Sequence, residues 1–450
     1  MQQGIIVYRA SRLEALLPPL LSLMDAAPPA HPLQPASVIA AHPGIRQWLS
    51  RALARWRGAG GIAANIEISL PSSWLDELAR ELLGESFVAL RPYRREALRW
   101  RIHELLPQVD DVQVRQYLRG VDAPRRRFQL ADRVASIYTR YLVYRPDWLQ
   151  AWGAGRDNFP APTFLAPLWR RLRGDIGLPH RGERLNALMQ QLDKVEDGAL
   201  PQEPLHVFGI SHLAPTEFAV LRGVARRRLV VLYVPDPCRE YWAGLVPERQ
   251  RLRELAVLDA FSSASEQQFL GIHHPLLASW GRLGQHFMLA LAGAEDIAVD
   301  IRHSEDEAGA DLSAAPRLQR LQESIRQLDP GLLRPSGVDT AGELADRSLR
   351  VHACHTRLRE LEVLRDVLLR EREERPDLKP SDIVVMAPDI QAYVPLLPAV
   401  FGEPGRNQSL LPYHLADVPV MDNFLNLDDS QSPAPHRLTH GLRQPFLFSN

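Results

Sequence analysis

The sequence predicts an α/β protein built on a mostly parallel β-sheet. Short apolar runs rich in β-branched residues have the composition of strands that are buried on both faces. Longer segments between them carry apolar residues at helical spacing, and this alternation of strand and helix is typical of parallel sheets. The predicted strands are Ile5–Tyr8, Val38–Ala41, His206–Ile210, Leu229–Val234, Leu349–Cys354 and Asp382–Ala387. The helices predicted between them are Arg12–Leu23, Ile45–Trp56 and Arg359–Glu374.

Residues 76–198 interrupt this alternation, because their pattern is almost entirely helical. The simplest interpretation is an all-helical insertion in a parent α/β domain made of residues 1–75 and 199–340. A second α/β domain is predicted over 345–420, and residues 421–450 are predicted to be a disordered tail because they lack both periodicities. The helices predicted in and beside the insertion are Leu75–Leu83, Arg94–Leu106, Val112–Leu118, Gln129–Tyr144, Phe164–Leu172 and Arg184–Leu192.

The bulk composition is that of an ordinary soluble protein. Hydrophobic residues make up 45% of the chain and charged residues 24%. Lysine and arginine together number 53 against 54 acidic residues, so any nucleic-acid binding must come from a local surface. Cys238 and Cys354 are the two cysteines, and they fit a reducing cytoplasm better than a disulfide framework. Neither a signal peptide nor an apolar run of membrane-spanning length is recognisable, so a cytoplasmic location is expected.

The residues that would bind ATP in a parallel α/β motor are missing from their expected positions. Such motors hold phosphate on a glycine-rich loop ending in Gly-Lys-Ser/Thr after the first strand. Here the first predicted strand runs into Arg9, Ala10, Ser11 and Arg12, with neither glycine nor lysine. The Gly-Ala-Gly-Gly run at 58–61 follows a helix and is predicted to be its C-terminal turn.

The magnesium-binding half of an ATP site is missing as well. An ATPase would place a pair of carboxylates at the end of a strand such as His206–Ile210, where they hold the metal and the attacking water. The first carboxylate after that strand is Glu217. Both halves of the ATP chemistry are therefore absent from the sequence, at two independent places.

Other catalytic and metal sites find little support in the sequence. His352, Cys354 and His355 lie close together, but no second cluster completes four ligands, and a buried strand end is their expected role. His273 and His274 likewise have no supporting ligand pair. Neither a Gly-x-Ser-x-Gly motif nor a nuclease-type cluster of carboxylates with lysine occurs. No catalytic residue, metal or cofactor is therefore predicted for this chain.

A set of ordered motifs resembles the RecC family, the gamma subunit of exodeoxyribonuclease V (RecBCD). The resemblance extends over about residues 4–417, and its order and spacing make it specific although each motif alone is weak. The motifs begin with Gly-Ile-Arg-Gln-Trp-Leu at 44–49, Gly-Ile-Ala-Ala-Asn-Ile at 61–66, Ser-Leu-Pro-Ser-Ser-Trp at 69–74 and Tyr-Leu-Val-Tyr-Arg-Pro-Asp-Trp-Leu at 141–149. They continue at 166–169, 207–211, 237–242, 274–284, 351–355, 360–364, 382–387 and 411–413.

The RecC resemblance implies both a fold and a function. Family members are shaped like two superfamily-1 helicase domains without ATPase activity of their own, so this chain is expected to contain one such domain and the start of a second. They lie between the RecB and RecD motors, channel the separated strands and scan the 3′-ended strand for the recombination hotspot Chi. The expected partners are RecB, RecD and double- and single-stranded DNA, in double-strand-break repair. ATP and magnesium are expected only on the partner subunits.

The resemblance also transfers four DNA-facing family positions onto this sequence. They are Gln47, Leu70, Arg145 and Arg181. An amide can read a base edge, a leucine can pack on a base, and arginines can meet phosphate or guanine. A plain structural role stays open for each: Gln47 as an exposed helix residue, Leu70 as part of a core, and Arg145 as the partner of Asp147. The spacing around Arg181 shifts relative to the family.

The helix Gln129–Arg145 offers a further candidate DNA-binding face. It carries Tyr138 and Tyr141 near Arg140, and aromatic rings beside arginines suit stacking of single-stranded bases. Aromatic residues at three- and four-residue spacing are also typical of a stripe that faces a core. The chain departs from the hotspot-reading members at five tunnel positions, so the sequence that it reads is expected to differ. These positions are Ala41, Pro43, Asp76, Ser136 and Thr139.

Two alternatives to a RecC-type scaffold stay open. One is an active helicase-nuclease subunit of the AddB type, which the two lone cysteines and the missing Gly-Lys-Ser/Thr disfavour. The other is a protein-interaction fragment without DNA binding. Because the RecC resemblance stops inside the second helicase-like domain, a truncated product with an exposed apolar sheet edge and poor solubility is also expected.

Overall fold

Six strands form one parallel sheet in the computed structural model of this chain. The strands are β1 (Gly4–Ala10), β2 (Ala36–Ala40), β3 (Ile66–Ser69), β4 (Leu205–Phe208), β5 (Leu229–Pro235) and β6 (Ile297–Arg302). They lie side by side in the order β3-β2-β4-β5-β1-β6, and every neighbouring pair is parallel. The predicted α/β class and parallel sheet are confirmed. The structure describes residues 3–31, 33–56, 62–84, 91–156, 162–195, 198, 200–246, 274–302, 312, 315–333, 346–402 and 411–415.

The strands at the centre of the sheet are the ones that the sequence predicted. All four residues of β4 and the five inner residues of β5 are buried, which explains their nearly continuous apolar sequences. The edge strands β3 and β6 were not predicted. β3 is four residues long and includes Glu67, while β6 carries charged residues and is exposed along most of its length. A strand that is paired on one side only needs no continuous apolar run.

Fifteen α-helices lie in the described ranges. The sequence predicted nine of them near their observed positions, whereas the helix at 146–153 and the helices after residue 214 other than the one at 357–374 were not predicted. The first helix begins at Leu17 rather than Arg12, because Pro18 and Pro19 suit a helix start and a 3₁₀ turn precedes them. The helices are α1 (Leu17–Ala26), α2 (Pro43–Trp56), α3 (Pro71–Leu83), α4 (Arg95–Leu105), α5 (Val112–Tyr117), α6 (Ala123–Tyr144), α7 (Pro146–Gly153), α8 (Leu165–Ile176), α9 (Arg181–Lys194), α10 (Pro215–Ala225), α11 (Pro275–Trp280), α12 (Arg282–Ala292), α13 (Arg317–Arg326), α14 (Arg357–Glu374) and α15 (Leu397–Phe401).

Two hydrophobic cores hold the larger part of the chain together. The first lies on one face of the sheet and joins the strands to α3, α9, α10 and α12. The second is made by α4, α5, α6, α7 and α8, and its largest fully buried side chains are Tyr138, Trp152 and Trp169. These helices lie between β3 and β4 in the chain, where the sequence predicted a helical insertion. Whether they are an insertion relative to a parent domain stays a prediction.

Backbone contacts divide the chain into two units. One is Met1–Arg46 with Ala52–Val338, and the other is Gln47–Arg51 with Asp339–Asn450. In the second unit, α14 and α15 pack through a small core centred on Leu361, Leu397 and Val400. The predicted tail at 421–450 lies outside the described residues, as does the Gly-Ala-Gly-Gly run at 58–61.

The strands predicted at 349–354 and 382–387 are wrong. Neither segment pairs with another strand among the described residues, and Val351 and Met386 are 91% and 89% exposed. An apolar, β-branched run favours a strand only where a neighbouring strand accepts its backbone hydrogen bonds and a core covers its side chains. The described part of the second unit provides neither, so its expected α/β character is not seen there. No helix in the described ranges is long and apolar enough to cross a membrane.

Candidate functional site at the carboxyl edge of the sheet

Four charged side chains meet at the carboxyl ends of β1, β5 and β6. Strand register places Arg9 opposite Arg302, and Asp236 follows directly after β5. Arg9 binds Asp300 through Nε and Nη2, at 2.8 and 2.6 Å from the two carboxylate oxygens, and its Nη1 lies 3.5 Å from Asp236 Oδ2. Arg302 Nη2 donates to the same Asp236 oxygen at 2.6 Å. We call these four residues the edge cluster.

Asp236 is the most buried member of the edge cluster. Its side chain is 1% exposed and accepts from both arginines through Oδ2. The other oxygen, Oδ1, accepts the indole N–H of Trp242 at 2.9 Å and the backbone N–H of Cys238 at 3.3 Å. A buried carboxylate is stable only when such partners replace water, and Asp236 has a full set.

Two glycines make room for the indole that holds Asp236. A Cβ atom on Gly281 would lie 2.7 Å from Trp242 Cζ3 and 2.5 Å from the carbonyl oxygen of Leu277. A Cβ on Gly284 would lie 3.0 Å from Trp242 Cη2. Gly281 between α11 and α12 and Gly284 in the first turn of α12 therefore allow Trp242 to reach the edge cluster. Glycine at these positions is a packing requirement, since neither has a positive φ.

The electrostatics of the edge cluster favour charged, mutually paired groups. Burial lowers the pKa of Arg9, but its hydrogen bonds and charge interactions with Asp300 and Asp236 outweigh that effect and raise it overall. Burial raises the pKa of the Cys238 thiol to about 11, so this cysteine stays protonated and is a poor nucleophile. The cluster holds two cations and two anions in ion pairs, which leaves no excess positive charge for an added phosphate.

The position of the edge cluster explains why it matters for function. In open parallel α/β sheets, ligands bind outside the carboxyl ends of the strands, and phosphates bind backbone N–H groups at the start of the helix that follows. Here the bend after β1, at residues 11–13, leads into a 3₁₀ turn. The charged side chains at the carboxyl ends of β1, β5 and β6 are paired with one another within the chain. Arg9 is recognisable in the sequence after the first strand, but its carboxylate partners lie far away in the chain and cannot be identified from it.

The predicted DNA-facing residues Arg145 and Arg181 both form ion pairs. Arg145 binds Asp147 through Nε and Nη2 at 3.0 and 2.7 Å, and its guanidinium lies 4.1 Å from the centre of the Trp148 ring. The Arg145 side chain remains 44% exposed, so its outer edge is open to solvent. Arg181 binds Glu217 at 2.5 Å and links α9 to α10. The ion pair between Arg145 and Asp147, which the sequence left open as an alternative, is therefore present.

Gln47 lies within α2, and Leu70 directly precedes α3. Gln47 is half-buried on α2, and Leu70 is half-buried with extended backbone directly before Pro71, which begins α3. Among the departures from the family pattern, Thr139 donates its hydroxyl proton to the carbonyl oxygen of Ser136. The DNA-binding role of the four transferred positions stays a prediction.

The two tyrosines of α6 have different environments. Tyr138 is 0% exposed and donates its hydroxyl proton to the Leu165 carbonyl at 2.7 Å, so it belongs to the helical core and offers no free ring for stacking. Tyr141 is half-buried against the edges of Trp148 and Trp152, at centroid distances of 5.3 and 5.8 Å. Arg140 is exposed and forms no ion pair with a described residue. The predicted face of α6 is thus partly core and partly open.

A buried histidine joins the helical core to α9. The Nδ1 atom of His180 accepts the backbone N–H of Gly182 at 3.1 Å, and the Glu183 carboxylate accepts the His180 backbone N–H at 2.8 Å. The His180 ring packs edge-on against Tyr93 and Trp169. Burial lowers the pKa of His180 to about 4, and burial raises the pKa of Tyr93 to about 12. This arrangement caps α9 and has no sign of catalytic chemistry.

The histidine and cysteine candidates do not form a metal site within the described residues. No group of three or more possible ligands occurs there. His352 and His355 are exposed and Cys354 is half-buried, so the predicted buried strand end is wrong. The cause is the missing strand partner described above. His274 is buried, with its Nε2 3.1 Å from Ser324 Oγ, and it caps α11, while His273 lies outside the described residues.

The fold and the edge cluster define a parallel α/β protein with a separate helical core, in which ion pairs occupy the edge where such sheets bind ligands. The family model described as "RecC, N-terminal domain" matches residues 5–328. The chain belongs to the RecC family. It is 30% identical to the RecBCD enzyme subunit RecC of Escherichia coli K12 over 94% of its own length, and 32% identical to that of Mycobacterium tuberculosis over 93%. It is 29% identical to the Haemophilus influenzae protein over 92%. The chain spans about 40% of the length of these relatives.

Proposed function

We propose that this chain is a non-catalytic, DNA-binding scaffold of a RecBCD-type enzyme in the cytoplasm. In this role it binds RecB and RecD, channels separated single strands and scans them for a hotspot sequence during repair of double-strand breaks. ATP and magnesium act only on the motor subunits. The two helicase-like domains and the helical insertion expected from the sequence belong to the same proposal.

The edge cluster carries the non-catalytic part of this proposal. A nucleotide at the carboxyl ends of β1, β5 and β6 would have to displace Asp236 or Asp300 from Arg9 and Arg302. Displacement would leave a carboxylate that is 1% exposed without its cationic partners, which costs several kcal/mol (about 3–5 for a fully buried pair). The loop after β1 offers no glycine that would compensate with backbone N–H groups. A structural role for this edge is therefore favoured over nucleotide binding.

The comparisons and the helical surface support the DNA-binding part. The relatives are named as subunits of the RecBCD enzyme, and this chain aligns with them over nearly its whole length. Arg140 is exposed without an ion pair to a described residue, and Arg145 is partly exposed on an aromatic ring. Guanidinium groups in this setting can contact phosphate and stack on bases.

Co-expression with the RecB and RecD subunits of the same genome tests the proposal. We expect a stable complex that co-elutes in size-exclusion chromatography and binds a single strand with salt-sensitive affinity. In a second preparation, the phosphate-loop lysines of both motor subunits are replaced by alanine. ATP hydrolysis stimulated by single-stranded DNA should then vanish, because no site remains in this chain.

Two results would contradict the proposed function. Residual DNA-stimulated ATP hydrolysis in the motor-dead complex, lost again in Arg9→Ala, would assign nucleotide chemistry to this chain and favour the AddB-type alternative. A complex that assembles but gains no DNA affinity over RecB and RecD alone would favour the protein-interaction alternative. The Arg140→Gln variant is a matched probe for the second question, because an exposed side chain can be changed with little effect on folding.

A further inference from the structure

An exposed aromatic surface lies where α4 packs against α6. Trp100 is 55% exposed and Phe128 is 36% exposed, and their ring centres are 5.6 Å apart. The guanidinium of Arg99 lies over both rings, 5.6 Å from the centre of Trp100 and 5.0 Å from that of Phe128. His103 packs edge-on against Trp100 at 5.8 Å and accepts a hydrogen bond from Arg127. We call these five residues the α4–α6 patch.

Local hydrogen bonds hold the α4–α6 patch in place. Asp132 on α6 accepts from Arg95 at 2.6 Å and lies 3.5 Å from Arg99, so one carboxylate fixes the helix pair beneath the rings. Burial and the charge of Arg127 lower the pKa of His103, which keeps the imidazole neutral and able to accept from Arg127. The two aromatic rings are therefore presented in a preformed arrangement. Preorganisation of this kind reduces the entropy that binding would cost.

The charge around the patch favours an anionic partner. Residues 91–133 contain eleven arginines and six carboxylates, a net charge of +5, whereas the whole chain has a formal net charge of −1. Arg125 is exposed one helical turn before Phe128 and forms no ion pair with a described residue. Glu96 and Glu104 flank Trp100 at four-residue spacing, so stacking rather than phosphate pairing is the main contact expected at the tryptophan itself.

We propose that the α4–α6 patch binds single-stranded nucleic acid, with bases stacked on Trp100 and Phe128 and the backbone held by Arg125 and Arg127. Aromatic platforms beside arginines bind single strands without sequence preference, because every base has a π face. Phe128 and Arg145 are seventeen residues apart on and after α6, which is about 25 Å along a helix. The patch is thus separate from the predicted contact at Arg145, and it rests on and deepens the proposed DNA-handling role.

Binding of a fluorescein-labelled oligothymidylate to the purified complex with RecB and RecD tests the patch. Trp100→Ala should weaken the affinity at least about fivefold, the lower bound for loss of one stacked base. Trp100→Phe should restore most of it, because phenylalanine keeps a ring. The matched control is Trp280→Ala: Trp280 on α11 is 80% exposed and should be replaceable without effect. Arg125→Gln should lower the slope of log affinity against log salt concentration by about one.

Circular dichroism of each variant shows whether the fold is kept. If Trp100→Ala unfolds, the salt slope of Arg125→Gln tests the patch instead, and an unchanged slope would overturn it. Equal affinity for Trp100→Ala, Trp280→Ala and the unchanged chain would overturn the patch and leave the proposed scaffold role intact. The patch would also be overturned if Trp100→Ala loses RecB or RecD while the complexes that still assemble bind the oligonucleotide with unchanged affinity. That result would show that the patch is a protein interface. If the unchanged complex binds no more oligonucleotide than RecB and RecD alone, the patch and the DNA-binding part of the proposed function both fail.

Discussion

The indole N–H of Trp242 donates to Oδ1 of Asp236 over 2.9 Å, while the other oxygen of the same carboxylate accepts from Arg302 at 2.6 Å. Both residues are buried. A single aspartate therefore connects the carboxyl ends of β5 and β6 to the segment after β5 that contains Trp242. We expect this connection to stabilise the sheet edge at the place where a related motor would bind nucleotide.

Replacing Asp236 by asparagine should destabilise the protein strongly. The amide keeps the shape of the carboxylate but loses its charge, so Arg9 and Arg302 keep less compensation for their partial burial. The free energy of unfolding should fall by about 3–5 kcal/mol, as for other buried pairs that lose one partner. Urea unfolding followed by circular dichroism measures this change.

The matched control for that measurement is Asp300→Asn. Asp300 pairs with the same Arg9, but its side chain is 41% exposed, and exposed ion pairs contribute at most about 1 kcal/mol. A larger loss for Asp300→Asn than for Asp236→Asn would contradict the central position of Asp236.

Adding one methyl group beside Trp242 should disturb the same site. Gly281→Ala forces a contact of 2.7 Å with the indole and 2.5 Å with a backbone oxygen, so we expect a loss of about 1–3 kcal/mol and a changed tryptophan fluorescence. Gly174→Ala in α8 is the control, because nothing lies within 4 Å of its added Cβ. Alanine is the better helix former there, so Gly174→Ala should stabilise by about 0.5–1 kcal/mol. Equal destabilisation by both variants would disprove the packing argument.

Stability should fall as the pH decreases from about 6.5 towards 4. Burial holds the pKa of His180 and of His206 at about 4, so in this window the unfolded chain binds more protons than the folded one. Each histidine should then lower the free energy of unfolding by about 1.4 kcal/mol for each pH unit below 6.5. Its full contribution to the stability of the folded state is present only above pH 6.5. Unfolding in urea at pH 7.5, 6 and 5 gives the slope.

His180→Asn separates the contribution of one histidine. Asparagine retains an N-cap acceptor for α9 but does not titrate, so the slope below pH 6.5 should fall by about half. Most of the slope that remains belongs to His206, whose Nδ1 lies 3.1 Å from the Tyr233 hydroxyl, and a smaller share belongs to His103, whose pKa is lowered as well. An unchanged slope in His180→Asn would show that His180 is already accessible to protons in the folded protein.

The ion pair of Arg145 should limit its contact with DNA. Asp147→Asn removes the carboxylate that occupies Nε and Nη2, so the affinity of the complex for a single strand should rise, whereas Arg145→Gln should lower it. Fluorescence anisotropy at several salt concentrations separates these effects, since each phosphate contact adds about one to the salt slope. Equal affinity for both variants would assign Arg145 a structural role only, through Asp147 and Trp148.

The central strands could be predicted from the sequence because burial on both faces leaves a continuous apolar run, as in β4 and β5. The edge strand β6 could not, since most of its residues are exposed and its sequence mixes charged with apolar residues. The same reasoning explains the wrong strands at 349–354 and 382–387. A local run reports β propensity but contains no information about a pairing partner.

In the sites, too, the sequence showed individual residues but did not show which distant residues they contact. Arg9 was visible in the segment where a phosphate loop would begin, but Asp236 and Asp300 are 227 and 291 positions away in the chain. Spacing within α6 grouped Tyr138 with Tyr141, yet only the packing of Leu165 against the helix shows that Tyr138 is internal. Trp100 and Phe128 were missed because they lie on different helices, and only the α4–α6 contact brings their rings together.

Thermal unfolding of this chain with and without magnesium-ATP tests the central claim most directly. A ligand that binds the folded state at about 100 times its dissociation constant adds about 2.7 kcal/mol of stability, which is a clear rise in Tm. The closed edge cluster predicts an unchanged Tm at millimolar nucleotide. A rise in Tm that disappears in Arg9→Ala would contradict the account, because it would place a nucleotide at the carboxyl edge of β1.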